Sequence, residues 1–175
     1  MPLVSLELNA PKELVAEPII WRLGRLFNVV TNIRRARITE DYGYVLLSVE
    51  GSTEEVTQTK DYLRSLGLLN DGETGTAPRA SVPPEDSVVQ SNTIYVRVAT
   101  VNAAQGHVPT LYRAGKEVNA VINVEFAAFD EEEGGAMELS ISGPLGEVQR
   151  AIAYLHTTGI HVNPRQRSVS DNGNL

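Results

Sequence analysis

The chain contains no cysteine. Disulfides, thiolate nucleophiles and cysteine-ligated zinc or iron–sulfur centres are therefore excluded, and a reducing compartment is allowed. No apolar run approaches the roughly 18 residues that a membrane span requires. Met1–Leu8 carries neither a basic n-region nor a long apolar run, so it does not read as a signal peptide. The default expectation is a soluble, cytoplasmic protein without membrane insertion. Basic residues are also scarce: 15 Lys and Arg stand against 22 Asp and Glu, for a net charge of −7. A nucleic-acid partner is not expected, because its phosphates would need clustered Lys and Arg.

Catalytic signatures are missing as well. The three histidines, His107, His156 and His161, offer no i, i+4 pair for a helical zinc site. There is no nucleophile elbow and no G-x-G-x-x-G loop. Ala114-Gly-Lys116 ends like a phosphate-binding loop, but Thr110 stands where the first Gly belongs and Glu117 replaces the Ser or Thr. Nucleophile, base and orienter cannot be named together, so an enzyme is not expected, nor is a cofactor or a metal.

What the chain does contain is one unit written twice. With an offset of 91, Pro18, Arg22, Gly24, Asn28, Val30, Asn32 and Ala36 fall on Pro109, Arg113, Gly115, Asn119, Val121, Asn123 and Ala127. Trp21 meets Tyr112. After one inserted residue, Ser48, Gly51, Glu55, Val56, Tyr62, Leu63 and Gly67 fall on Ser140, Gly143, Glu147, Val148, Tyr154, Leu155 and Gly159. The fold must be read per copy, and two similar surfaces imply a pseudo-symmetric site between them. Residues 1–69 and 92–163 are the two domains. Residues 70–91, rich in Gly and Pro, read as a flexible linker, and 164–175 as a disordered tail. Each domain is small enough to gain from pairing in cis or in a homodimer.

Within copy one, Val4–Leu8 alternates as a half-buried strand, followed by a loop, Asn9–Glu17. Pro18 opens a helix whose stripe is Ile19, Ile20, Leu23, Leu26 and Phe27. Asn28–Ile38 and Tyr44–Glu50 are strands around a turn at Asp41–Gly43. Ser52-Thr-Glu-Glu55 reads as a capping box, Gly67 as a helix C-cap, and Leu68-Leu69 as the start of a fourth strand. Copy two repeats the order. The fold class is α+β: two ferredoxin-like βαββαβ domains in tandem, each an antiparallel sheet with its helices on one face.

The repeated polar residues are the site candidates. Asn is disfavoured in strands. Asn28 and Asn119 suit a helix–strand turn. Asn32 and Asn123 suit either that turn or a ligand, because an amide offers donor and acceptor to a zwitterion. Arg22 and Arg113 serve either an ion pair or a ligand carboxylate. Gly24 and Gly115, in mid-helix, suit close packing. Tyr62 and Tyr154 read as packing residues. Arg34, Arg35 and Arg37 form a solvated face or receive an acidic partner, and Asp130–Glu133 is an acidic turn.

Glu17–Ile33, with Asn32-Ile33-Arg34 at the position of an Asn-Ile-Leu strand motif, resembles the NIL domain, and so does Gly51–Gly67. In copy two only the Asn of the motif is kept, in Asn123-Val-Glu125. NIL domains are similar to ACT domains and form the C-terminal regulatory domain of methionine importer ATPases. The resemblance implies the same fold and an amino acid such as methionine bound at a domain interface. It places that ligand at Asn32 and Asn123, with the loop after strand one, Asn9–Glu17 or Thr100–Gly106, as the other half. Asn9 joins the candidates on that ground. The chain lacks an ATPase domain, and Arg34 and Glu125 replace the apolar third residue of the motif. Two functions follow as expectations. One is a regulatory sensor of an amino acid. The other is an adaptor that docks a protein partner through the sheet face or an edge, with the arginines selecting it.

Overall fold

Strict alternation in the strands leaves one apolar face per strand, and that face decides how everything else packs. The structure, a computed structural model, describes residues 1–69 and 92–165. The expected linker, 70–91, and the expected tail beyond Arg165 lie outside the described residues. In the first copy the elements are β1 (Leu3–Pro11), α1 (Lys12–Val15), α2 (Ile19–Leu26), β2 (Val30–Ile38), β3 (Tyr42–Glu50) and α3 (Thr53–Ser65). In the second they are β4 (Asn92–Ala99), a 3₁₀ turn (Ala103–His107), α4 (Thr110–Glu117), β5 (Val121–Asp130), β6 (Gly134–Gly143), α5 (Leu145–Thr157) and β7 (His161–Arg165).

Two local expectations change. Asn9–Glu17 is not a plain loop: Asn9, Ala10 and Pro11 extend β1 by pairing with Tyr44, Gly43 and Tyr42, and α1 follows. Among the described residues the fourth strand of copy one is represented by a bridge between Leu8 and Leu69, and its counterpart β7 pairs β4 over five residues and runs on to Arg165.

The larger difference concerns the sheets. There is one antiparallel sheet of seven strands, in the order β1-β3-β2-β5-β6-β4-β7. Each copy alone would leave β2 or β5 as an edge, with unpaired N–H and C=O groups. They satisfy one another through Arg35↔Asp130, Ala36↔Phe129, Arg37↔Ala128 and Ile38↔Ala127. Ala36 is the repeat equivalent of Ala127, and Ile38 of Phe129. The pairs Ala36↔Phe129 and Ile38↔Ala127 are therefore one pair read in both directions. A pseudo-twofold axis passes between Arg37 and Ala128, as in an isologous interface within a single chain.

Cross-strand rows such as Leu6–Leu47–Ile33 and Val96–Leu139–Val124 lie on one face of this sheet. They join Leu23, Val56, Leu63, Val148 and Leu155 of the helices in one buried cluster. The rows hold register only because β2 and β5 each carry a bulge, at Arg34 and at Glu125. Each bulge inserts one residue, so that Ile33 and Ala36, three apart, face the same way.

The Ser52/Glu55 pattern also resolves differently. The Ser52 hydroxyl accepts from Glu55 N–H at 3.2 Å, as in a capping box, but the Glu55 carboxylate accepts from Asn28 N–H at 3.1 Å. Glu147 does the same for Asn119 N–H at 2.7 Å. The Glu is thus repeated because it pins the helix–strand turn. Gly67, at φ +77°, ends α3 with Leu68 N–H bonded to Leu63 C=O. Tyr62 packs edge-on against Phe27, with ring centroids 5.6 Å apart.

Over the sheet junction α2 meets α4. A Cβ on Gly115 would stand 3.0 Å from Trp21 Cδ1, and one on Gly24 would stand 3.3 Å from Tyr112. Each repeated Gly makes room for the other copy's aromatic. Replacing either Gly24 or Gly115 by Leu should overpack the helix contact and lower stability by about 1–3 kcal/mol in urea unfolding. Gly146→Ala, in α5 with open space around it, should instead raise it by about 0.5–1 kcal/mol.

Candidate functional site between the two copies

A cavity lies between the copies, lined by residues of α2, α4, β2 and β5. Its volume is ≈ 140 Å³. Its wall is mostly apolar and is itself nearly twofold: Trp21 and Tyr112, Ile20 and Leu111, Ile33 and Val124, Val45 and Met137, Ile38 and Phe129 are equivalent pairs. Asn32 and Asn123 both line it. Each amide reaches across to the other copy. Asn32 Nδ2 donates to Gly106 C=O at 3.2 Å, and Asn123 Nδ2 donates to Ala16 C=O at 3.3 Å. The two segments reached are those that follow the first strand of each copy.

The helix ends cross in the same way. The Arg25 guanidinium lies 4.7 Å from the Trp21 ring centroid and donates to Val118 C=O at 3.2 Å. Lys116, its equivalent, lies 5.8 Å from the Tyr112 centroid and donates to Gly24 C=O at 2.7 Å. Cations at helix C-termini satisfy carbonyls that the helix leaves open. Burial lowers the Arg25 pKa from its ordinary value.

Three sequence candidates do not reach the cavity. Asn9 sits on β1 beside Leu8 and Ala10, which line it, but alternation turns Asn9 away, and its Oδ1 accepts from the Tyr42 hydroxyl at 2.8 Å. Arg22 is 3% exposed and extends to Glu17 at 3.5 Å within its own copy. Arg113 is exposed on α4, outside the lining.

The arginine cluster also has partners within the chain. Its acidic group is the chain's own β5–β6 turn. Arg34 pairs with Glu131 at 2.6 Å and also donates to the Ser5 hydroxyl at 3.1 Å. Arg35 pairs with Asp130 at 2.9 Å, and Arg37 donates to Ala36 C=O at 3.2 Å. The separate basic and acidic clusters of the sequence are thus two sides of one seam. Sequence reasoning missed Arg25, Lys116, Glu17 and Glu125 as parts of this region. The Arg25/Lys116 match at offset 91 was the available signal for the first two.

The NIL domain family model matches residues 4–69. That segment is the first copy up to its bridge at Leu69. No curated protein matches the chain. Among solved structures, a microcompartments protein from Desulfitobacterium hafniense DCB is 11% identical, with 97% of each chain covered and a TM-score of 0.34. So slight a likeness carries no argument about fold or function. Among the described residues no helix is long and apolar enough to cross a membrane.

The seam has an acid-side signature. Asp130 accepts from Glu132 and Glu133 N–H and from Arg35, which together hold its pKa below the usual carboxylate value. Asn119 N–H and Arg150 do the same for Glu147. A depressed folded pKa means stability that is complete above the ordinary carboxylate range and is lost as pH falls through the lower folded value. Unfolding measured from pH 6 to pH 2 should show that loss below about pH 4. Asp130→Asn and Glu147→Gln together should flatten it.

Proposed function

We propose that the chain is a non-catalytic, cytoplasmic regulatory protein built from two ferredoxin-like, NIL-type units that hold a small molecule, an amino acid such as methionine, in the cavity between them. The observation that carries this reading is the reciprocal reach of Asn32 to Gly106 and of Asn123 to Ala16 at the wall of one apolar cavity. A few placed polar groups on an apolar wall are the usual make-up of a small-molecule site. The size argues for a small ligand. A cavity of about 150 Å³ takes a benzene-sized molecule, and drug- or cofactor-sized pockets run to roughly 300–1,000 Å³. Side chains on such a wall can bind and orient a small molecule.

A ligand that touches both copies binds their paired arrangement more tightly than a separated one. That difference in affinity is what lets binding carry a signal. The rival reading, docking of an acidic protein partner on the arginines, loses its footing because Arg34 and Arg35 are engaged within the chain.

Calorimetric titration of the purified chain with methionine, and then with the other amino acids, should give saturable heat. Asn123→Ala should weaken it by about tenfold, the value of one hydrogen bond to a charged group. If no amino acid gives heat or a thermal shift, the reading is wrong.

A further inference from the structure

The two ends of the cavity are related by the repeat but differ in chemistry, and the difference names the ligand group that one end accepts. Asn123 is nine-tenths buried. Its Nδ2 donates to Ala16 C=O at 3.3 Å and to the Glu125 carboxylate at 2.8 Å. An amide nitrogen has two protons, and both are spent. What Asn123 can still offer a ligand is its Oδ1, an acceptor, and among the described residues no donor reaches it. Asn32, at the other end, spends only one amide proton, on Gly106 C=O.

The charges differ in the same sense. Glu125 accepts from Asn123 Nδ2 and from the Ser140 hydroxyl at 2.9 Å, and among the described residues no cation meets it. Its equivalent in copy one is Arg34, which is neutralised by Glu131. Glu17 also lines the cavity, where its equivalent is Val108, but its carboxylate is already met by Arg22 at 3.5 Å, which leaves Glu125 as the carboxylate without a cation. A half-buried carboxylate without a cation costs free energy that an incoming cation would offset.

We infer that the Asn123 end is an ammonium subsite: the ligand is a small primary amine with an apolar tail, its ammonium donating to Asn123 Oδ1 in the field of Glu125. This rests on the cavity being a ligand site. A carboxylate on the ligand is tolerated, not required, because Asn123, Glu125 and Glu17 hold no spare donor for it.

The test is calorimetry on the full chain with three probes of one shape: methionine, its decarboxylated amine 3-(methylthio)propylamine, and its deaminated acid 4-(methylthio)butanoate. The amine should bind within about tenfold of methionine, and the acid at least about a hundredfold more weakly, as expected when a charge-assisted bond is lost and a carboxylate faces Glu125. Glu125→Gln should weaken the amine by about tenfold, and Arg34→Gln should leave it unchanged. Unaltered thermal unfolding of each variant establishes that the site is intact. Acid binding as tight as amine binding, or indifference of the amine to Glu125→Gln, would overturn the ammonium subsite while leaving the cavity reading in place. No binding of any probe would overturn the cavity reading and the subsite with it.

Discussion

Four antiparallel residue pairs between β2 and β5 hold the rest of the molecule in place. They turn two small repeats into one seven-stranded sheet. They also fix the pseudo-twofold axis, and from that axis the other contacts follow in matched pairs: Gly24 against Tyr112 and Gly115 against Trp21, Arg25 to Val118 and Lys116 to Gly24, Asn32 to Gly106 and Asn123 to Ala16. Domains of this size bury modest cores. Sharing one sheet and one core lets each copy use the other as its missing layer. The same junction borders the cavity, whose lining comes from both copies.

Much of this was legible in the sequence because two copies report on each other. Alternation gave the strands, and helical spacing gave α2, α4 and both long helices. Gly24 and Gly115 in mid-helix made physical sense only as close contacts, and they are. Asn32 and Asn123, unfavourable in strands yet repeated, are the two amides that cross between the copies.

What sequence could not give were contacts between elements distant along the chain. Arg22 sits at helical spacing that says nothing of which side it buries, and it turned inward. Asn9 was assigned to a loop because β1 was read as ending at Leu8; pairing with β3 carries the strand on to Pro11, and alternation then points Asn9 away from the cavity. The arginine and acidic clusters looked like two surfaces awaiting partners. Joining the sheets at β2 and β5 sets Arg35 opposite Asp130 and Arg34 beside Glu131, so each cluster is the other's partner. The Glu55 carboxylate, which the Ser52–Glu55 pattern assigns to a capping box, instead meets an orphan donor in the turn before β2, and Glu147 does the same before β5.

The absence of cysteine makes the central claim directly testable. Arg37 and Ala128 face each other across the pseudo-axis, and directly opposed residues in an antiparallel pair have Cα atoms about 4.5–5.5 Å apart, within disulfide reach. The double variant Arg37→Cys/Ala128→Cys should oxidise in dilute solution to an intramolecular disulfide, with the mass of one chain and two hydrogens fewer. Free thiols only, or disulfide found only between chains, would contradict the pairing of the two copies in cis.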